Sequence, residues 1–171
     1  MIGGDPVELG LVTSLARPGG NMTGGTTLGT ELGRKRLELL YELLPAAKTF
    51  ALLVNPTNPS LAESAEKDLN AVARSLGLSL HILHASSERD FEPMFKTLVA
   101  LGASGLVIGA DGFLNRTSGE LAAMSIRHGI PAIYQQREFA AAGGLISYGF
   151  SIAETYRQIG IYAGRIVKGD R

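Results

Sequence analysis

The chain has 171 residues, 45% of them hydrophobic and 19% charged, which is enough apolar material for an ordinary domain with a real core and too much for a disordered chain. Lys+Arg and Asp+Glu both number 16, so the formal net charge is zero, which argues against broad attraction to nucleic acid or to an anionic membrane. The absence of cysteine excludes disulfides, thiol catalysis and thiolate metal sites, and no apolar run approaches the roughly 20 residues of a membrane span.

Met1–Pro6 has neither the basic start nor the apolar segment of an export signal. At face value the chain is cytosolic, or a piece of a longer protein. Asp5-Pro6 suits the N-cap and first position of a helix over about residues 6–16. Leu9, Leu11, Val12 and Leu15 would form its apolar face, and Arg17-Pro18-Gly19-Gly20-Asn21 would end it. Met22–Leu28 reads as a weak strand with two glycines, ending near Thr26 and Thr27. Glu31–Leu44 is an amphipathic helix, because Leu32, Leu37, Leu39, Leu40, Leu43 and Leu44 recur at helical spacing and Pro45 closes it. The cluster Arg34-Lys35-Arg36 reads as its solvated face.

From Thr49 the pattern alternates. Strands at Thr49–Val54, Ser79–His84, Gly105–Ile108, Pro131–Tyr134 and Leu145–Tyr148 are interleaved with helices at Leu61–Leu76, Phe91–Leu101, Phe113–His128 and Arg137–Ala142, and a last helix covers Ile152–Lys168. Short joins between alternating strands and helices imply an α/β fold with a doubly wound parallel five-stranded sheet. The expected strand order is flavodoxin-like, 2-1-3-4-5. The stretch FALLVNPTNPS, Phe50–Ser60, shows the unit plainly: an unbroken apolar run for a strand buried on both faces, then an Asn/Pro loop that stops it.

Ligands bind outside the carboxyl ends of such strands, at the switch point. Asn55 and Asn58 follow the first strand, Gly109-Ala110-Asp111-Gly112 the third, and Tyr134-Gln135-Gln136 the fourth. A carboxylate, amides and a phenol in one crevice can hydrogen-bond a small polar ligand and pair with its cationic group. Each residue also has a plainer reading. Asp111 suits the N-cap of the following helix, Asn55 and Asn58 suit turns, and Tyr134 and Tyr148 suit covers for the sheet edge. As a charged anchor, Asp111 predicts that Asp111→Asn weakens ligand binding while barely altering stability.

Other motifs do not develop. Gly20–Gly25 has P-loop glycine spacing but is followed by Thr26 rather than Lys, and Ser104 lacks the frame of a nucleophile elbow. His81, His84 and His128 lack metal-ligand spacing. Asn21-Met22-Thr23 and Asn115-Arg116-Thr117 match a glycosylation sequon, a frequent chance match. No cofactor or metal is expected.

The segments DPVELGLVTSLARPGGNMTGGT, ELGRKRLELLYELLP, FALLVNPTNPS, LVIGADGF and PAIYQQREFAAAGGLISYG together resemble the tryptophan/tyrosine-binding kind of ABC transporter substrate-binding protein, built on the type I periplasmic-binding-protein fold. The resemblance covers essentially the whole chain, and PAIY with REFAAAGGLISYG is its most specific part. It implies two α/β lobes clamping a solute, with members that begin with an export signal and most of the first lobe. On that reading residues 1–29 and 150–171 are elements of the first lobe and 30–149 form the second. The resemblance places Asp5, Thr26 and Thr27 on the cleft from the first lobe, and Asn55, Asp111 and Tyr134 from the second. It implies a non-enzymatic receptor that binds a small-molecule solute such as an amino acid, partners an ABC transporter permease, and is periplasmic or anchored at the cell surface. Apolar faces on the helices at 6–16 and 152–168 imply packing together or self-association. Two other classes stay open: the effector-sensing core of a transcription regulator, against which the zero charge and missing helix-turn-helix count, and an enzyme, for which no acid–base pair assembles.

Overall fold

The structure, a computed structural model, describes residues 5–7, 9–26 and 31–169. The chain divides into two compact units, residues 29–149 and residues 1–28 with 150–171.

The larger unit runs α1 (Glu31–Leu43), β1 (Thr49–Val54), α2 (Pro59–Leu76), β2 (Ser79–His84), α3 (Phe91–Ala100), β3 (Gly105–Ile108), α4 (Gly112–Arg116), α5 (Ser118–His128), β4 (Ala132–Tyr134), α6 (Arg137–Ala141) and β5 (Ile146–Ser147). The five strands form one sheet in the order β2-β1-β3-β4-β5, every neighbouring pair parallel. Both the α/β class and the strand order are those that the sequence implies.

Strand alternation sorts the core into two layers. Ala51 and Leu53 of β1, Leu106 and Ile108 of β3, and Ala132 and Tyr134 of β4 face α3, α4, α5 and α6. Phe50, Leu52 and Val54, with Val107 and Ile133, face α1 and α2 on the opposite side. Every residue from Phe50 to Val54 is buried, with Phe50, Leu52, Leu53 and Val54 each contributing about 1.5–3 kcal/mol. The strand ends are tied closely: the Gly109 N–H donates to the Leu53 carbonyl at 2.8 Å and the Ala85 N–H to the Val54 carbonyl at 3.1 Å.

Three readings change. The helix expected over Phe113–His128 is broken at Thr117, whose hydroxyl bonds back to the Phe113 carbonyl at 3.1 Å and competes with the helical ladder. The strand expected at Leu145–Tyr148 shortens to Ile146–Ser147, although the Tyr148 N–H still reaches the Tyr134 carbonyl at 2.8 Å. Arg36 is not on a solvated face: it is 1% exposed, while Arg34 and Lys35 keep the surface and pair with Asp68 and Glu38.

In the smaller unit the helix expected over 6–16 does not form among the described residues. The Leu9 N–H reaches the Asp5 carbonyl, but Gly10 then takes a left-handed φ of 67° and the chain reverses, with the Leu11 N–H bonding the Pro6 carbonyl and the Gly10 N–H that of Val7. That closure ends a helix after one turn. Of the weak strand expected at Met22–Leu28, only a single bridge at Thr26 is present among the described residues. The last helix, α7 (Ile152–Val167), is capped by the Ser151 hydroxyl, which accepts from the Glu154 N–H. None of its residues is buried, and Tyr156, Ile161, Tyr162, Ile166 and Val167 are exposed.

The tight β1–β3 approach makes Gly109 hard to replace. A Cβ there would lie 2.7 Å from the Leu53 carbonyl oxygen, whereas one at Gly112 would meet nothing within 4 Å. Gly109→Ala should therefore lower stability by about 1–3 kcal/mol, and Gly112→Ala should leave it unchanged or raise it by up to about 1 kcal/mol, as read from urea melts.

Candidate functional site

Because β1, β3 and β4 are parallel and buried to their ends, the polar side chains that follow them emerge together at the carboxyl edge of the sheet. Asn55, Asp111, Gln135 and Gln136 are all buried there, at 4–8% exposure.

Asp111 stands at the centre. It caps α4, its Oδ1 accepting from the amides of Phe113 at 2.8 Å and Leu114 at 3.3 Å. The same oxygen accepts from Asn55 Nδ2 at 3.0 Å, and Oδ2 accepts from Asn58 Nδ2 at 3.3 Å. Burial alone would raise its pKa, but the Asn55 amide, the Phe113 N–H, Asn58 and the Leu114 N–H together hold it below the ordinary value of 3.8. The carboxylate is thus ionised and held by donors rather than by a cation. Asn55 is at once a turn former and a cross-link: its Oδ1 accepts from the Thr57 backbone and hydroxyl at 3.0 and 2.8 Å. Asn58 precedes Pro59 at the start of α2 but sends its side chain to Asp111 instead of capping that helix.

Tyr134 is fully buried, with its ring edge-on to Phe139. Its hydroxyl donates to Asn115 Oδ1, which also accepts from Gln135 Nε2 at 2.8 Å. Burial raises the Tyr134 pKa and the Asp111 charge adds to that, against opposition from Gln135 and Arg36, so the phenol is neutral. Two buried side-chain atoms beside this cluster, Gln135 Oε1 and Gln136 Nε2, have no hydrogen-bond partner among the described residues. Buried polar atoms are rarely left so in folded proteins.

Arg36 reaches the same edge from α1. Its Nε donates to the Tyr148 carbonyl at 2.8 Å, and its buried Nη2 has no partner among the described residues. Desolvation lowers its pKa to about 10 while the two tyrosines oppose that, so it remains a cation at neutral pH.

The structure therefore brings together Asn55, Asn58 and Asp111 in one network, and Tyr134 and Gln135 in another. Asp5 belongs to the smaller unit, where its carboxylate accepts from the Val7 N–H at 2.7 Å; Thr26, in the same unit, is half-buried. Thr27 lies outside the described residues. Asn115 and Arg36 escape the sequence reading as site residues, whereas Gln136 lies in the segment after the fourth strand that it assigns to the crevice. Asn115 lies one helical turn after Asp111, and Arg36 falls on the same helix stripe as Gly33 and Leu40, so periodicity carries a signal for both. Among the described residues no cluster of metal-ligating side chains exists. Among the described residues the edge offers hydrogen-bond donors, acceptors and a buried cation, Arg36.

This geometry revises what Asp111→Asn should do. An amide can accept at Oδ1, but its NH2 then faces the Asn58 NH2. A loss of about 1–2 kcal/mol is expected at pH 7, and about 3 kcal/mol for Asp111→Ala, which also forfeits the cap. Since the folded pKa is depressed, this stabilisation is complete above the ordinary value of 3.8 and is lost as pH falls below it. Urea melts of wild type and Asp111→Asn should accordingly converge as pH drops through that range.

The sequence model of the ABC transporter substrate binding protein family matches residues 1–171. No curated protein matches the chain. Among solved structures, a conserved domain protein from Vibrio cholerae O1 biovar El Tor matches 96% of this chain and 54% of its own at 23% identity and a TM-score of 0.81. An ABC domain in complex with L-Trp from Streptococcus pneumonia matches 96% of this chain and 55% of its own at 20% identity and a TM-score of 0.80. A branched chain amino acid ABC transporter from Thermus thermophilus with bound valine matches 70% of this chain and 33% of its own at 18% identity and a TM-score of 0.53. The chain thus spans about half the length of the first two, and at these identities the likeness is one of fold. With the family model matching from the first residue to the last, the chain belongs to the ABC transporter substrate binding protein family.

Proposed function

We propose that this chain is a solute receptor of an ABC importer, acting outside the cytoplasmic membrane and passing its solute to the permease. The solute is small and polar, of the amino acid class. On this reading residues 30–149 are one lobe of the receptor, and residues 1–29 with 150–171 belong to the other. The observation that carries the reading is the polar carboxyl edge of the sheet, where Gln135 Oε1 and Gln136 Nε2 are buried without protein partners beside the Asn115–Tyr134 pair. A ligand's ammonium and carboxylate are groups that such an acceptor and donor would take up. Family membership supports it, and so do the L-Trp and valine complexes among the structural relatives. Asp111 is held entirely by amide donors and faces no base, which favours binding over catalysis. Among the described residues, no helix is long and apolar enough to cross a membrane.

The test is calorimetric titration of the chain with L-tryptophan, L-valine and a panel of other amino acids. One of them should bind saturably, and Asn115→Ala, which removes the acceptor shared by Tyr134 and Gln135, should weaken it about tenfold, or about 1.4 kcal/mol. No binding by any member of the panel would overturn the amino acid reading.

The exposed apolar residues of α7 support a second partner, another copy of the chain. Side chains such as Tyr162, 64% exposed, and Val167, 87% exposed, form a face that water disfavours. Light scattering should give a mass above 18.0 kDa, and Tyr162→Glu with Ile166→Glu should restore the monomer. A monomer in the wild type would remove this partner.

A further inference from the structure

The chain passes between its two compact units twice, between residues 28 and 29 and between residues 149 and 150. α1 begins at Glu31, directly after the first passage, and β5 ends at Ser147, just before the second. One side chain joins these two places inside the larger unit. Arg36 of α1 donates from Nε to the Tyr148 carbonyl at 2.8 Å, across 112 positions of sequence.

Tyr148 has little else to hold it. Its N–H continues the ladder to the Tyr134 carbonyl at 2.8 Å, but β5 is only two residues long, and among the described residues no backbone N–H reaches the Tyr148 carbonyl. In an unbroken parallel ladder that carbonyl would accept from the next residue of β4's path, but Gln136 there is already the N-cap of α6. Gly149 follows with its backbone pressed on that of Gln135, where a Cβ would collide. Strand ends with so few bonds are the places where a sheet opens first.

The tie is costly to build. Arg36 is buried, Leu52, Leu69 and Val107 line the narrow crevice beside it, and its Nη2 has no partner among the described residues. A leucine would fill this stripe of α1 without burying a charge, as Leu37 and Leu40 do. What the guanidinium supplies and a leucine cannot is a donor for Tyr148, and a bond from an ionised donor is stronger than one from a neutral group.

We infer that Arg36 is a positioning residue for the second passage: it pins Tyr148 to α1, so that the larger unit releases the chain at Gly149 and not at the end of β5. Both passages then start from one helix, the first through the backbone of α1 and the second through the Arg36 side chain. This role is independent of solute binding.

The experiment is hydrogen exchange followed by NMR on the whole 15N-labelled chain, unaltered and as Arg36→Met. In Arg36→Met the Tyr148 and Gly149 N–H groups should exchange about tenfold faster, the loss expected of one hydrogen bond from a charged donor. The N–H groups of Leu37 in α1 and Leu52 in β1 should keep their rates. In the unaltered chain the Arg36 Nε–H and the Tyr148 N–H should open together as urea is raised below the unfolding range. Unchanged exchange at Tyr148 in Arg36→Met overturns the pin. Acceleration shared equally by Leu37 and Leu52 also overturns it, since that is the mark of a packing role alone. If Arg36→Met does not fold, the unaltered chain decides: joint opening sustains the pin, and Tyr148 opening at lower urea than the Arg36 Nε–H overturns it.

Discussion

The constraint on which this molecule depends is the burial of β1 on both faces. Helices cover the sheet above and below, so no side chain from Phe50 to Val54 can carry an unpaired polar group, and β3 and β4 are under the same restriction. Parallel pairing then brings the ends of these strands to one edge. Polar chemistry is expelled from the sheet and collected there, at Asn55, Asp111 and Gln135. The polar edge follows from the packing of the core and needs no separate device to build it.

Two halves of that edge differ in how completely they are satisfied. Around Asp111, two asparagine amides and two backbone amides converge on one carboxylate, which ties the loops after β1 and β3 together. Such a fully donated network fixes geometry. Around Tyr134 the bonds are fewer than the groups: Asn115 Oδ1 serves two donors, while one atom each of Gln135, Gln136 and Arg36 is left over. The first half is satisfied within the protein, and the second leaves polar atoms over.

Most of the larger unit is legible in the sequence because its signals are local. Apolar runs such as FALLV, punctuated by Asn/Pro or Gly turns, give strands, and the alternation with helices gives the order of the sheet. What escapes reading is decided by single backbone events or by tertiary packing. Gly10 closes the first turn because its φ is positive, although Asp5-Pro6 and the leucines beyond favour a helix. Thr117 interrupts a continuous helical pattern by bonding its own turn. Arg36 lies within a basic triplet that composition assigns to solvent, while its helical phase places it inside. Asn115 hides in a sequon, and only the break at Thr117 reveals the short helix that carries it to Tyr134.

The strand order also has a kinetic side. β1 is an inner strand whose neighbours are β2 and β3, and β3 begins about 50 residues after β1 ends, so during synthesis at about 5–20 residues per second β1 waits roughly 3–10 s for its second partner. In that interval the nascent chain carries a short, uncharged apolar segment with an open hydrogen-bonding edge, the kind of segment that joins other chains. Asn55-Pro56 at its end, and Pro45 with Lys48 before it, bracket the segment with a charge and with residues that cannot extend a ladder. The residues that shape the loop after β1 in the finished molecule therefore also act as gatekeepers while it is being made.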